Sequence, residues 1–276
     1  MGDADASHHR PGLCADALRG SGAADRLPHG ASQGHGCRPA AQPGEVRDGG
    51  MTPEEALAAL TAEADVERAV GMRAYHKVDR TYLGLSNGTV SDLATGWRKG
   101  LDLPARVALA KGLWASDIYE ARVASAKLFL QARIRPDDTP AWDCLKGFVP
   151  DFDSWAIADA VAQAGQKRLQ ADPSRLDEVE AWTGSDHMWT RRAALVFSLG
   201  FTRSRHPKPA ETEARDRILG WCAGYADDPD WFIQKAVAWW VRDLSRKDPD
   251  RARAFLEANG PRMKPWSRKE AGRHLR

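Results

Sequence analysis

The stretch Asp153-Ser-Trp-Ala-Ile-Ala-Asp159 decides how the chain is read. It opens like a helix, with Asp153 or Ser154 in the N-cap position and good helix formers behind. Trp155 and Asp159 are four residues apart, so an indole and a carboxylate leave the same side of that helix. Two downstream stretches echo the arrangement. In His187-Met-Trp-Thr-Arg-Arg192, Trp189 and Arg192 share a face. In Trp231-Phe-Ile-Gln-Lys-Ala-Val-Ala-Trp-Trp-Val-Arg242, the residues Lys235, Trp239 and Arg242 do so. Together the three predict a basic, tryptophan-walled groove with one carboxylate at its floor.

Working outward, nearly everything after Thr52 reads as helix: alanine, leucine, arginine and glutamate dominate, and breaker clusters recur at short intervals. The pattern predicts helices near 53–72, 89–99, 104–114, 117–132, 138–148, 154–170, 174–183, 187–200, 210–225, 229–246, 249–259 and 265–274. Turn signals separate them, among them Ser86-Asn-Gly88, Asp102-Leu-Pro104, Ala171-Asp-Pro173 and Lys247-Asp-Pro249. No stretch alternates as a strand would. Segments that open with an aromatic and place a cation three or four residues on begin at Tyr119, Trp189 and Trp231. Their spacing suits helical repeats of roughly 40 residues. The expected fold is all-α: a superhelical solenoid of about six HEAT-like antiparallel pairs, whose concave basic groove binds an extended partner.

Residues 1–50 differ from this. They hold 10 of the 24 glycines, and no Ile, Phe, Tyr or Trp. Such a segment buries too little apolar surface to offset its ordering entropy, and it reads as a disordered tail. Met51 followed by Thr-Pro-Glu-Glu looks like the natural start of the folded protein, which makes the tail an over-extended start. Residues 51–276 are then one domain. The four cysteines (Cys14, Cys37, Cys144, Cys222) have no paired or metal-finger spacing, which points to a reducing cytosol and to neither a metal nor another cofactor. No apolar run has membrane-spanning length. Net charge is only +2, but Lys235 to Arg276 carries 12 basic and 5 acidic side chains, as expected for a face that meets a polyanion.

Arginine and lysine neutralise phosphates, and indole faces pack on sugars and bases. A carboxylate in that setting orients water or stabilises the cation formed as a glycosidic bond breaks. Each residue also has a plainer explanation. Trp155 fits a core, Arg192 an inter-helix ion pair, and His187 a helix start. One of Trp239 and Trp240 must face inward. Lys235 suits a phosphate contact or, in a lyase, a covalent nucleophile.

Several segments in order resemble the AlkD-type DNA alkylation repair proteins, HEAT-like-repeat DNA glycosylases. They are Tyr75-His-Lys-Val-Asp-Arg-Thr-Tyr-Leu-Gly84, Ser154-Trp-Ala-Ile-Ala-Asp159, Met188-Trp-Thr-Arg-Arg-Ala-Ala-Leu-Val-Phe197, the Trp231–Arg242 stretch, and Met263-Lys-Pro-Trp-Ser-Arg-Lys-Glu-Ala271. The resemblance covers about Glu54 to Leu275. It implies a monofunctional glycosylase that removes cationic alkylated purines, such as 3-methyladenine or 7-methylguanine, and leaves an abasic site. Carried over residue by residue, Asp159 is the catalytic carboxylate, Trp155 and Trp239 wall the cleft, and Arg192 contacts DNA. Tyr75 and Lys77 fall where the family faces DNA. Lys235 and Arg242 are added from the charge pattern. Ser154 and Ala238, small residues before the two tryptophans, are departures that bear on groove width. Implied with this are a monomer, a double-stranded DNA partner carrying alkylated bases, and a bacterial cytosol or nucleoid location. The competing expectation is a non-catalytic helical scaffold that binds DNA or protein.

Overall fold

A computed structural model describes residues 50–275, so the tail predicted over 1–50 lies, but for Gly50, outside the described residues. Thirteen α-helices follow one another: α1 Pro53–Ala62, α2 Val66–His76, α3 Asn87–Lys99, α4 Leu103–Ala115, α5 Tyr119–Lys127, α6 Thr139–Gly147, α7 Trp155–Ala171, α8 Leu176–Trp182, α9 Met188–Ser198, α10 Pro209–Gly224, α11 Trp231–Ser245, α12 Pro249–Asn259 and α13 Pro265–Ala271. Among the described residues there is no strand, only an isolated bridge between Thr81 and Ile118.

The helices form two layers. α3, α5, α7, α9, α11 and α13 pack side by side in chain order. α4, α6, α8, α10 and α12 back this row, with α4 on α5, α6 on α7, α8 and α10 on α9, and α12 on α11. The core between the layers is continuous, from Ala56 and Leu60 through Leu113, Trp142, Phe197 and Trp240 to Ala271. The fold is thus the expected all-α helical repeat. Its period is also written in polar contacts. Arg175 to Asp138 is 37 residues in sequence, Arg192 to Asp159 is 33, Arg191 to Asp230 is 39 and Arg251 to Asp216 is 35. A charged side chain on one repeat reaches the same level of the next.

The predicted starts hold because their caps are local. Thr52 and Glu55 form a reciprocal capping box at 3.2 and 3.0 Å ahead of Pro53. Ser86, Asp102 and Asp248 accept backbone N–H groups at the starts of α3, α4 and α12. The single helix expected over 53–72 is instead two. Asp65 is itself an N-cap, accepting from Arg68 N at 2.9 Å, and its own N–H donates to Leu83 O across the fold. Of the two candidate caps before α7, Ser154 takes the position, without a side-chain bond.

The basic excess after Lys235 is partly neutralised. Arg242 pairs with Asp243 and Glu270, Arg251 with Asp216 and Asp248, Arg253 with Asp250, and Arg262 with Asp227. The charge count from Lys235 to Arg276 leaves out two of these partners, Asp216 and Asp227, which come from the preceding repeat.

The loop from α2 to α3 is held by one buried acid. Glu120 is 0% exposed and accepts three backbone N–H groups, from Leu83 at 2.9 Å, Gly84 at 2.8 Å and Leu85 at 3.2 Å. Gly84 lies at φ 84°, and a Cβ there would sit 2.0 Å from Asp65 O, so no other residue fits the turn. Glu120→Ala leaves three donors without acceptors and is expected to cost about 3 kcal/mol. Glu120→Gln, which keeps one acceptor oxygen for Gly84 and Leu85 and turns an NH2 towards the Leu83 N–H, is expected to cost less. Urea denaturation of the two variants checks the order.

Candidate functional site

Register places the candidate residues. Counting from the first residue of each helix, Asp159, Arg192 and Lys235 are all fifth, in α7, α9 and α11 respectively. Because α9 lies between α7 and α11, the three form one row across the layer. The close approach of α7 to α9 depends on Gly165, where a Cβ would fall 2.2 Å from the Phe197 ring.

At the centre, Arg192 Nη1 donates to Asp159 Oδ1 at 2.6 Å. The arginine side chain is 2% accessible and the aspartate 21%. Arg192 Nε is buried with no hydrogen-bond partner, while its guanidinium lies 5.8 Å from the Trp189 ring centroid. Asp159 Oδ2 makes no hydrogen bond among the described residues. One oxygen of the carboxylate is therefore fixed, and the other is available to a ligand. Of the two expectations for Arg192, a DNA contact or an inter-helix ion pair, the described residues show the ion pair, with the guanidinium buried against Asp159.

Lys235 is exposed, and its Nζ stands 4.7 Å from the Trp231 ring centroid. Crowding of its ammonium by neighbouring groups, then the Arg192 charge, lowers its pKa from the ordinary lysine range, and Asp159 opposes the shift.

Trp155 is half-buried one turn before Asp159, in contact with Tyr75 at 5.9 Å edge to face and with His76 at 5.6 Å. Tyr75 is 53% exposed. His76 stacks on Tyr82 at 5.7 Å and on Tyr119 at 4.9 Å, so five rings from three segments of the fold form one cluster beside the carboxylate. The sequence gives no reason to name His76, Tyr82 or Tyr119 as site residues, save that Tyr119 opens α5 just as Trp155 opens α7. Arg80, also missed, is buried and braces the loop by pairing with Asp117 at 2.9 Å and Asp153 at 2.7 Å.

The remaining candidates lie apart from this row. Trp239 is half-buried, with Nε1 donating to Asp243 at 3.1 Å, whereas Trp240 is fully buried. Trp239 sits one turn beyond Lys235 and makes no ring contact with Trp155 among the described residues. Arg242 is tied to Asp243 and Glu270. Lys77 is exposed in a left-handed conformation at the end of α2, without an ion pair among the described residues. His187 bonds Thr190 at 2.9 Å, a local contact at a helix start. No group of three metal-ligating side chains occurs among the described residues.

The family model described as "DNA alkylation repair enzyme" matches residues 56–275. The chain belongs to that family. Among solved structures it is similar to a "Predicted DNA alkylation repair enzyme from Enterococcus faecalis", with a TM-score of 0.65 and 20% identity over 77% of this chain and 97% of that one. It is also similar to AlkD2 from Streptococcus mutans, with a TM-score of 0.52 and 19% identity over 75% of this chain and 98% of that one. At these identities the likeness speaks to the fold. No curated protein matches the chain significantly. Membership gives this DNA alkylation repair protein a DNA substrate and an enzymatic role in repair. No helix among the described residues is long and apolar enough to cross a membrane.

Burial lowers the pKa of His76 below its ordinary 6.5, and its Nδ1 has no partner to hold a proton. The unfolded chain therefore binds a proton more readily than the folded one. The stability this group contributes is present above pH 6.5 and is lost as pH falls below that value towards the folded pKa. His76→Phe keeps the stack and removes the proton site. Thermal midpoints at pH 5 and pH 7 are expected to differ less for His76→Phe than for the wild type.

Proposed function

We propose that this chain is a monofunctional glycosylase that hydrolyses the N-glycosidic bond of cationic alkylated purines in double-stranded DNA. The observation that carries the reading is the half-fixed carboxylate of Asp159, one oxygen held by Arg192 and the other free, next to an aromatic wall. An N-alkylated purine is positively charged, and indole and phenol faces attract such a ring through their quadrupoles. Trp155 and Tyr75 supply those faces beside the acid.

Heterolysis of the C1′–N bond returns the bonding pair to the purine, which departs neutral. The deoxyribose is left as an oxocarbenium ion. Asp159 Oδ2 is placed to stabilise that charge or to orient a water molecule. Water adds at C1′ and gives up a proton to the carboxylate or to solvent, which yields an abasic site. The leaving group needs no acid, so a single carboxylate suffices. Arg192 acts through Asp159 as a positioning residue, while Lys235 and Lys77 are exposed cations available to phosphates. Trp239, one turn beyond Lys235 on α11, is the second cleft indole of this reading.

Lys235 has a lowered pKa and lies near Asp159, which favours a second reading: a lyase in which its amine attacks C1′. Borohydride added during reaction would then trap a covalent protein–DNA adduct. The glycosylase reading expects none.

The primary test is chromatography of the bases freed from methylated duplex DNA. Wild type is expected to release 3-methyladenine or 7-methylguanine, and release of neither contradicts the proposal. Trp155→Ala is expected to slow release about 10- to 100-fold, with affinity for undamaged duplex changed far less, because the ring meets the alkylated nucleotide and not the phosphates that supply most duplex affinity.

A further inference from the structure

Two large aromatic side chains remain exposed away from the carboxylate: Trp231 at 45% and Trp266 at 37%. They are the first residue of α11 and the second of α13, helices that pack against each other, and their rings stack at 5.6 Å with an interplanar angle of 29°. Scattered surface apolar residues are ordinary, but these two indoles stack on each other at the surface and neither belongs to the core cluster. The pair is held firmly. Ser267 Oγ donates to Gln234 O at 3.0 Å, Lys264 Nζ donates to Pro229 O at 2.5 Å, and Gln234 Nε2 donates to three carbonyls of the preceding turn. Ordering has thus been paid for in the fold before any ligand arrives.

The pair is also continuous with the row around Asp159. Trp231 meets Phe232 at 5.0 Å, Phe232 meets Trp189 at 4.7 Å, and the Arg192 guanidinium faces Trp189. Lys235 joins the two ends, with its ammonium beside the Trp231 ring and its charge felt by Asp159 and Arg192. Around the stack, Lys235, Lys264 and Lys269 are cations without ion pairs among the described residues, whereas the nearby acids Asp230 and Glu270 are paired with Arg191 and Arg242.

We propose that the Trp231–Trp266 stack is a platform for one unpaired nucleobase of the bound DNA, with Lys235 and Lys269 on its flanking phosphates. A planar, preformed, sequence-tolerant π-surface beside unneutralised lysines fits a base and its anionic backbone. Within a paired duplex the bases lie in the stack and offer only their edges, so the platform favours DNA in which a base is free. Base excision leaves such an unpaired partner opposite the abasic sugar. This inference rests on the DNA-repair reading of the site, but needs no particular assignment of Asp159.

The test is equilibrium binding of the full chain to two undamaged labelled duplexes, one fully paired and one with a single-nucleotide bulge. Wild type is expected to prefer the bulged duplex by about tenfold, the scale of one base–aromatic stack. Trp266→Ala should lose that preference and keep its affinity for the paired duplex within about twofold, while Trp266→Phe should retain most of the preference. Equal weakening on both duplexes, or an unchanged preference in Trp266→Ala, overturns the platform. So does a concentration-dependent dimer that Trp266→Ala abolishes, since the face would then belong to a second copy. If wild type binds neither duplex, the DNA reading itself fails. If it binds both equally yet excises methylated bases, only the platform does.

Discussion

The geometry around the candidate site depends on the ion pair between Arg192 and Asp159. A guanidinium with almost no accessible surface cannot stay charged and unpaired, because desolvation costs several kcal/mol unless a partner offsets it. Asp159 is that partner, and the contact is one short hydrogen bond to one oxygen. The arginine thus sets where the carboxylate points in an otherwise aromatic and basic neighbourhood. Any change at Asp159 acts on stability and on chemistry together, and the two have to be measured side by side.

The repeat architecture makes the pair possible. Helices separated by one backing helix run in the same direction, so equal positions in α7, α9 and α11 meet across the layer. Gly165 lets the Phe197 ring lie directly on α7, which brings the fifth residues of α7 and α9 to ion-pair distance. A second constraint holds the aromatic side of the site. Glu120 and Arg80 fix the loop after α2, and with it the Tyr75 and His76 rings against Trp155. Both supports are buried charged groups that touch backbone or opposite charge, which fixes one conformation where a purely apolar contact allows sliding.

Much of this was legible in the sequence because the determinants are local. N-cap residues, N1 prolines and period-3.6 apolar stripes placed the helix starts, and the Trp155/Asp159 spacing placed both side chains on one face of α7. Arg192 and Lys235 were singled out from their own helices in the same way. What they contact was not legible. The pairing of Arg192 with Asp159, of Arg80 with Asp153, and of the C-terminal arginines with Asp216 and Asp227 needs the register between repeats, which short-range periodicity does not carry. Asp65 went unseen as a helix boundary because the residues around it, Ala64-Asp-Val-Glu-Arg68, are equally compatible with continuous helix. The five-ring cluster was half visible: Tyr75 and Trp155 stood out, while His76, Tyr82 and Tyr119 become neighbours only once the loop folds back on α5.

The central claim is that the free oxygen of Asp159 acts on the breaking glycosidic bond while its other oxygen is held by Arg192. Single-turnover excision from a methylated duplex by Asp159→Asn, with duplex affinity and thermal midpoint recorded on the same preparation, tests it most directly. The account predicts that excision falls by about 100-fold or more, while DNA binding persists and the protein remains folded at the assay temperature. Excision at close to the wild-type rate by a folded Asp159→Asn protein would contradict it.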